Sequence, residues 1–83
     1  MSFTPSFAPD AKAQWGAMDF EIQELVLDEM DRLSLTPPGP GEHISDLVFE
    51  KNGQRHYIFV RVRVDHRYAT VTIIGVGHFA RAV

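Results

Sequence analysis

The sequence predicts an α+β fold in two layers, an N-terminal helical hairpin packed on a three-stranded antiparallel sheet. Three observations predict it. First, His56 to Val64 alternates at period 2, with Ile58, Val60, Val62 and Val64 on one face and Tyr57, Phe59, Arg61 and Arg63 on the other. Second, Asn52-Gly53 stands between two apolar runs, and both residues accept the positive φ of a type I′ hairpin turn. Third, Ile22, Leu25, Val26, Met30 and Leu33 recur at helical spacing ahead of the strands.

Residues 1–7 read as an arm, in which Pro5 prevents a regular start and Phe3 and Phe7 either anchor on the core or extend the sheet edge. A first helix begins at Pro9-Asp10, since proline suits a first turn, and Phe7, Ala11, Trp15 and Met18 share one face. Gly16 and Ala17 weaken its end. Asp19 is placed to cap a second helix, with Glu21 in its first turn. Glu21, Glu24, Asp28 and Asp31 form a solvated acidic side, on which Asp28 alone has a base four residues on, Arg32. The methionine and aromatic positions read as core packing. Thr36 to Gly41 stops the helix and makes a stiff crossover.

Residues 44–51 give the first strand of the sheet, 56–64 the second, and Ala69 to Val76 the third. With His66-Arg67 as the second loop pair, Leu47 faces Ile58, Phe49 faces His56, Val64 faces Ala69, Val62 faces Val71 and Val60 faces Ile73. Both turns then put the same face inward, an agreement that a slip of one residue would destroy. Glu50, Arg55, Tyr57, Arg61, Arg63, Ile74, Val76 and His78 collect on the opposite face. Residues 77–83 leave the third strand and turn.

The 83 residues are expected to form a single domain, 1–83, with a modest core. No apolar run is long enough to span a membrane, and no signal-peptide pattern is present, so the expected location is cytoplasmic. There is no cysteine, which excludes disulfides and thiol chemistry. A net charge of −3 argues against tight non-specific binding to nucleic acid. The charge is lopsided, however: the acids gather in the helical part, while Arg55, Arg61, Arg63, Arg67 and Arg81 lie in the sheet and tail.

No histidine pair has helical ligand spacing, no glycine loop cradles phosphate, and no serine or cysteine nucleophile has a partnered base, so no metal or cofactor is implied. His43 reads as a loop residue, His66 as a turn residue and His56 as a neighbour of Phe49 at the core edge. The candidate site is the outward surface of Arg55, Tyr57, Arg61, Arg63 and His78, a set suited to binding and cleaving a phosphodiester. By charge alone the same residues read as a solvated sheet face, with Arg55 and Glu50 paired for well under ~1 kcal/mol. Tyr57, Phe59, Ile74 and Val76 make that face too apolar to be merely solvated, so it is expected to bind something.

The chain resembles the RelE/ParE toxin superfamily of bacterial toxin–antitoxin systems, including the plasmid-stabilisation and HigB-like branches. The resemblance rests on Phe20 to Leu33 followed by Pro37-Pro38, and on the closing Ile73-Ile74-Gly75-Val76-Gly77-His78. It implies a small toxin neutralised by a cognate antitoxin. RelE-like members cut mRNA on the ribosome, whereas ParE-like members poison DNA gyrase. His78 falls on the family's closing histidine and Arg81 follows in the tail. The resemblance therefore implies His78 as acid/base with Arg61 beside it, and Arg55, Tyr57, Arg63 and Arg81 as phosphate or RNA contacts. The family's usual arginines are missing from two strands: Tyr57 stands where one is common, and Leu47 to Glu50 holds no base. A binding toxin without cleavage, and an interaction module or homodimer using the exposed face, stand as alternatives.

Overall fold

A computed structural model describes residues 2–83. The order of elements is β1 (Thr4–Phe7), α1 (Pro9–Gly16), α2 (Phe20–Leu35), β2 (Gly41–Lys51), β3 (Gln54–Asp65) and β4 (Thr70–Ala82). The four strands form one mixed sheet in the order β1-β4-β3-β2. The two helices cover one face of it, the helix face, and leave the other open.

The expected three-stranded sheet gains a fourth strand, because the N-terminal arm pairs in parallel with β4, Thr4 to Thr70 through Phe7 to Ile73. Pro5 is tolerated because the ladder does not need its N–H. Thr4 and Ala8 donate to the carbonyls of Ala69 and Ile73, so Pro5 turns its nitrogen to the open edge. The helices therefore follow a strand rather than opening the chain. Phe7 packs on Trp15, with ring centroids 5.2 Å apart.

In α2 the expected stripe is the buried one: Ile22, Val26, Met30 and Leu33 meet Ile58, Val60, Val62, Val64, Val71 and Ile73. Asp19 occupies the N-cap position, but its side chain makes no capping bond. Arg32 pairs not with Asp28 but with Glu29, one turn back, at 2.8 Å through Nη2.

The Asn52-Gly53 turn closes β2 on β3 with φ of 53° and 75°, and Leu47 faces Ile58 and Phe49 faces His56. The second turn is longer than two residues. Asp65 pairs with Thr70, so His66 to Ala69 form the loop and Val64 faces Val71 instead of Ala69. The Asp65 carboxylate accepts the Tyr68 N–H, and Ala69 takes φ of 52°. The slip is two residues, which preserves the inward face.

A second irregularity does not preserve it. Val62 faces Ile73, but Arg61 faces Gly75, so Ile74 is an extra residue in β4. Beyond this bulge the alternation of β4 inverts. Val76 is buried opposite Val60, and His78 lies opposite Ile58 on the helix face. Nor does the chain turn after Gly77: β4 runs on to Ala82, paired with Gln54.

Candidate two-histidine site and open sheet face

The sequence reading placed His78 among the arginines; the bulge separates them. Arg55, Tyr57, Arg61 and Arg63 project from β3 to the open face, joined by Phe79 and Arg81 of β4. His78 projects to the other face, next to His56. His56 shares the parity of Ile58, so it is on the helix face as well.

His56 Nδ1 and His78 Nε2 are 2.9 Å apart. The ring planes lie within 6° of each other and the centroids are 5.2 Å apart. With the two nitrogens in contact, such rings lie end to end in nearly one plane. Phe49 stacks on His56 from the β2 side at 4.6 Å and 7°. One N–H occupies the space between the histidines, because one ring donates and the other accepts. The outer nitrogens are then fixed by the tautomers. In the neutral pair, one of His56 Nε2 and His78 Nδ1 carries a proton and the other carries a lone pair. The couple is an acid at one end and a base at the other.

The α1–α2 elbow stands over this couple. Trp15 donates its indole N–H to the Gln23 carbonyl, and the Gln23 amide donates back to the carbonyls of Trp15 and Gly16. This reciprocal pair fixes Asp19 and Phe20 above the sheet. A cavity of about 270 Å³ lies on the His56 side, lined by Asp19, Phe20, Ile22, Phe49 and Lys51. Another of about 420 Å³ lies on the His78 side, lined by Gln14, Ala17, Met18, Asp19 and Gly77. Each histidine opens onto a different cavity. Among the described residues no group of three or more histidine, cysteine, aspartate or glutamate side chains is placed to hold a metal.

The open face has a different chemistry. Phe79 stacks on Tyr57 at 4.9 Å and on Phe59 at 5.6 Å, and the Arg81 guanidinium lies over the Phe79 ring at 5.9 Å. The other arginines are tied to acids on β2. Arg55 reaches Glu50 at 2.7 Å, while Arg61 and Arg63 share Glu42 at 3.1 and 3.4 Å. Those two guanidiniums, Arg61 foremost, hold the Glu42 carboxyl below the usual carboxylate range. Glu50, then Tyr57, raises the Arg55 guanidinium. Arg61 faces Gly75 and Arg63 faces Thr72, not Thr72 and Thr70 as the simple meander required.

His56 was missed as a partner of His78. The period-2 pattern put it on the inward face correctly, but His78 was counted to the other face. The remaining histidines hold the crossover: His43 Nε2 meets the Gly39 carbonyl at 2.7 Å and His66 Nε2 the Pro38 carbonyl at 2.9 Å.

The sequence matches no family model and no curated protein. Solved structures do match the fold. A double arginine-to-alanine mutant of the E. coli toxin RelE, in the free state, superposes with a TM-score of 0.71 at 16% identity, covering 93% of this chain and 83% of that one. The chain has the RelE toxin fold. The intact E. coli RelBE toxin–antitoxin complex matches at 0.69 and 15% identity, covering 92% of this chain and 95% of the other. The RelBE2 toxin–antitoxin complex of Mycobacterium tuberculosis matches at 0.67 and 19%, covering 95% and 93%. Among the described residues no helix is long and apolar enough to cross a membrane.

Proposed function

We propose that the chain is the toxin component of a type II toxin–antitoxin system and cleaves mRNA, with a cognate antitoxin as its partner and the ribosome as its site of action. The RelE fold supports the class. The observation that carries the chemistry is the His56–His78 couple. Cleavage of RNA at a 2′-hydroxyl needs one group to remove a proton and one to return it to the leaving 5′-oxygen. His78 accepts the 2′-hydroxyl proton at Nδ1 while its Nε2 proton passes to His56 Nδ1. The couple then carries one extra proton, shared by the two rings, and returns it to the 5′-oxygen. Arg55, Tyr57, Arg61, Arg63 and Arg81, with Phe79, act on the open face as contacts for RNA bases and phosphates beyond the cleaved bond.

The test is induced expression in a bacterial host, following growth and full-length transcripts together. Wild type should arrest growth and shorten transcripts. His78→Ala and His56→Ala should each lower cleavage by about 10²–10⁴-fold, the span of a lost acid/base group. Cleavage retained by His56→Ala would remove the couple from the mechanism. A second reading rests on a specific observation, the separation of His78 from the arginines by the bulge. In that reading the protein is a toxin that binds a target such as DNA gyrase through the aromatic open face and cuts nothing. Arrest with intact transcripts, lost in Phe79→Ala, would establish it. Normal growth with wild type would sink both.

A further inference from the structure

The contact between His56 and His78 has a second chemistry besides proton transfer. Two imidazole nitrogens that meet head on share one proton between them. A borderline-soft divalent cation takes an imidazole lone pair much as a proton does. Zinc holds such nitrogens at about 2.0–2.1 Å, so two of them on one tetrahedral ion stand about 3.3 Å apart. Here Nδ1 of His56 and Nε2 of His78 are 2.9 Å apart. Opening the pair by about 0.4 Å and tilting each ring by about 35° would aim both lone pairs at one tetrahedral ion.

Little resists that adjustment. The ring planes already agree within 6°, so both tilts run in one plane and converge. Phe49 stacks on the His56 ring, and a tilt within the ring plane keeps that stack. His78 is exposed and opens onto the cavity of about 420 Å³, which leaves space for water on an ion. The surroundings favour a cation over an anion. The charged side chains lining the two cavities, the histidines aside, are Asp19, Glu21 and Lys51. Lys51 is paired with Glu21. That leaves Asp19, which borders both cavities and makes no ion pair among the described residues. Arg55, Arg61, Arg63 and Arg81 are on the opposite face of the sheet.

We propose that His56 and His78 form a two-imidazole site for a zinc-class divalent cation, its other coordination positions filled by water. Among the described residues no third histidine or carboxylate completes the set, so the site is open and exchangeable rather than structural. No proton leaves the neutral pair when the ion binds. The N–H between the rings moves to the outer nitrogen that lacked one, and His56 Nε2 and His78 Nδ1 then both carry N–H. The ligated couple has a donor at each end and no base. For the cleavage reaction of the proposed function the cation is therefore an inhibitor. That consequence rests on the proposed function; the site itself does not.

The test is calorimetric titration of the whole chain, without a histidine tag, using zinc chloride and separately magnesium chloride. Zinc should bind one to one, and magnesium, which prefers oxygen ligands, should not bind. His78→Gln and His56→Gln should each weaken zinc binding by at least about tenfold, the lower end of what losing a supporting group costs a metal site. The double variant His43→Gln with His66→Gln should bind zinc as wild type does, since those rings hold the crossover. The two histidines are 22 residues apart and meet only in the folded β3–β4 ladder. Zinc should therefore raise the melting temperature of wild type and leave that of His78→Gln unchanged. Zinc binding that survives both single variants, or that the crossover variant removes, would overturn the proposal. So would a magnesium response equal to that of zinc, or no zinc binding by wild type. Transcript cleavage is read separately: zinc bound with cleavage undiminished would support the site and remove the couple as acid and base.

Discussion

The two faces of the sheet share β2, β3 and β4 and differ in almost everything else. On the helix face Ile58, Val60, Val62, Val71 and Ile73 are fully buried under α1 and α2. One position along the same strand, Phe59 is 39% exposed, and Arg61 and Arg63 hold only surface ion pairs. The helix face supplies the fold's cohesion, while the open face adds little to it and is free to carry recognition. The two-histidine couple sits at the boundary. It belongs to the helix face by parity and lies under the α1–α2 elbow, where the cover is open enough to leave His78 exposed.

Neighbouring residues of β3 should therefore respond very differently to truncation. Ile58→Ala should cost about 3 kcal/mol, a buried aliphatic side chain lost with a cavity left behind, whereas Phe59→Ala should cost below about 1 kcal/mol. Urea denaturation of both variants measures the difference, and similar costs would mean that the open face is covered.

A smaller effect should come from the one carboxylate that α2 turns inward. Glu29 is 7% exposed and bonded to Arg32, which holds its carboxyl below the ordinary range against the opposing effect of burial. A carboxyl whose folded pKa is depressed adds stability above its unfolded pKa and loses it as pH falls through the folded value. Glu29→Gln should therefore cost about 1–2 kcal/mol at neutral pH, and the gap from wild type should close as the pH falls below the unfolded value of 4.5. A gap independent of pH would assign the effect to packing instead. The smallest effect should be on the open face. Arg63→Ala should change stability by less than about 0.5 kcal/mol, with the residue removed by salt, because its contact with Glu42 is long and exposed.

Much of this architecture was legible in the sequence because period and turn chemistry are local. The α2 stripe, the Asn52-Gly53 turn and the inward set of β3 needed only spacing. Most of what escaped depended on relations between distant segments. For the arm, extension of the sheet edge was one of two readings and is the one realised, but Thr4 to Phe7 has no strand signature of its own to decide between them, and the free edge on β4 does so. The Arg32–Glu29 pair spans three residues of α2, a helix contact that counting bases at four-residue spacing alone passes over. The candidate site was half visible. The arginines and aromatics were placed on the face they occupy, but His78 was not, since Ile74-Gly75 carries no letter pattern that announces an extra residue in the ladder.

That extra residue has a consequence for how such chains diverge. Because side-chain facing depends only on whether a position is odd or even, the extra residue at Ile74 sets the surroundings of Val76, His78 and Phe79 without any contribution from those residues themselves. It puts Val76 and His78 on the helix side and Phe79 with the arginines. Insertion or deletion at this point works as a toggle: it transfers a histidine between a cationic, aromatic surface and a neighbouring imidazole in a single step, which substitution would need several coordinated changes to achieve. A RelE-fold protein of similar sequence but lacking this residue would spell nearly the same strand and carry its closing histidine in another chemical setting.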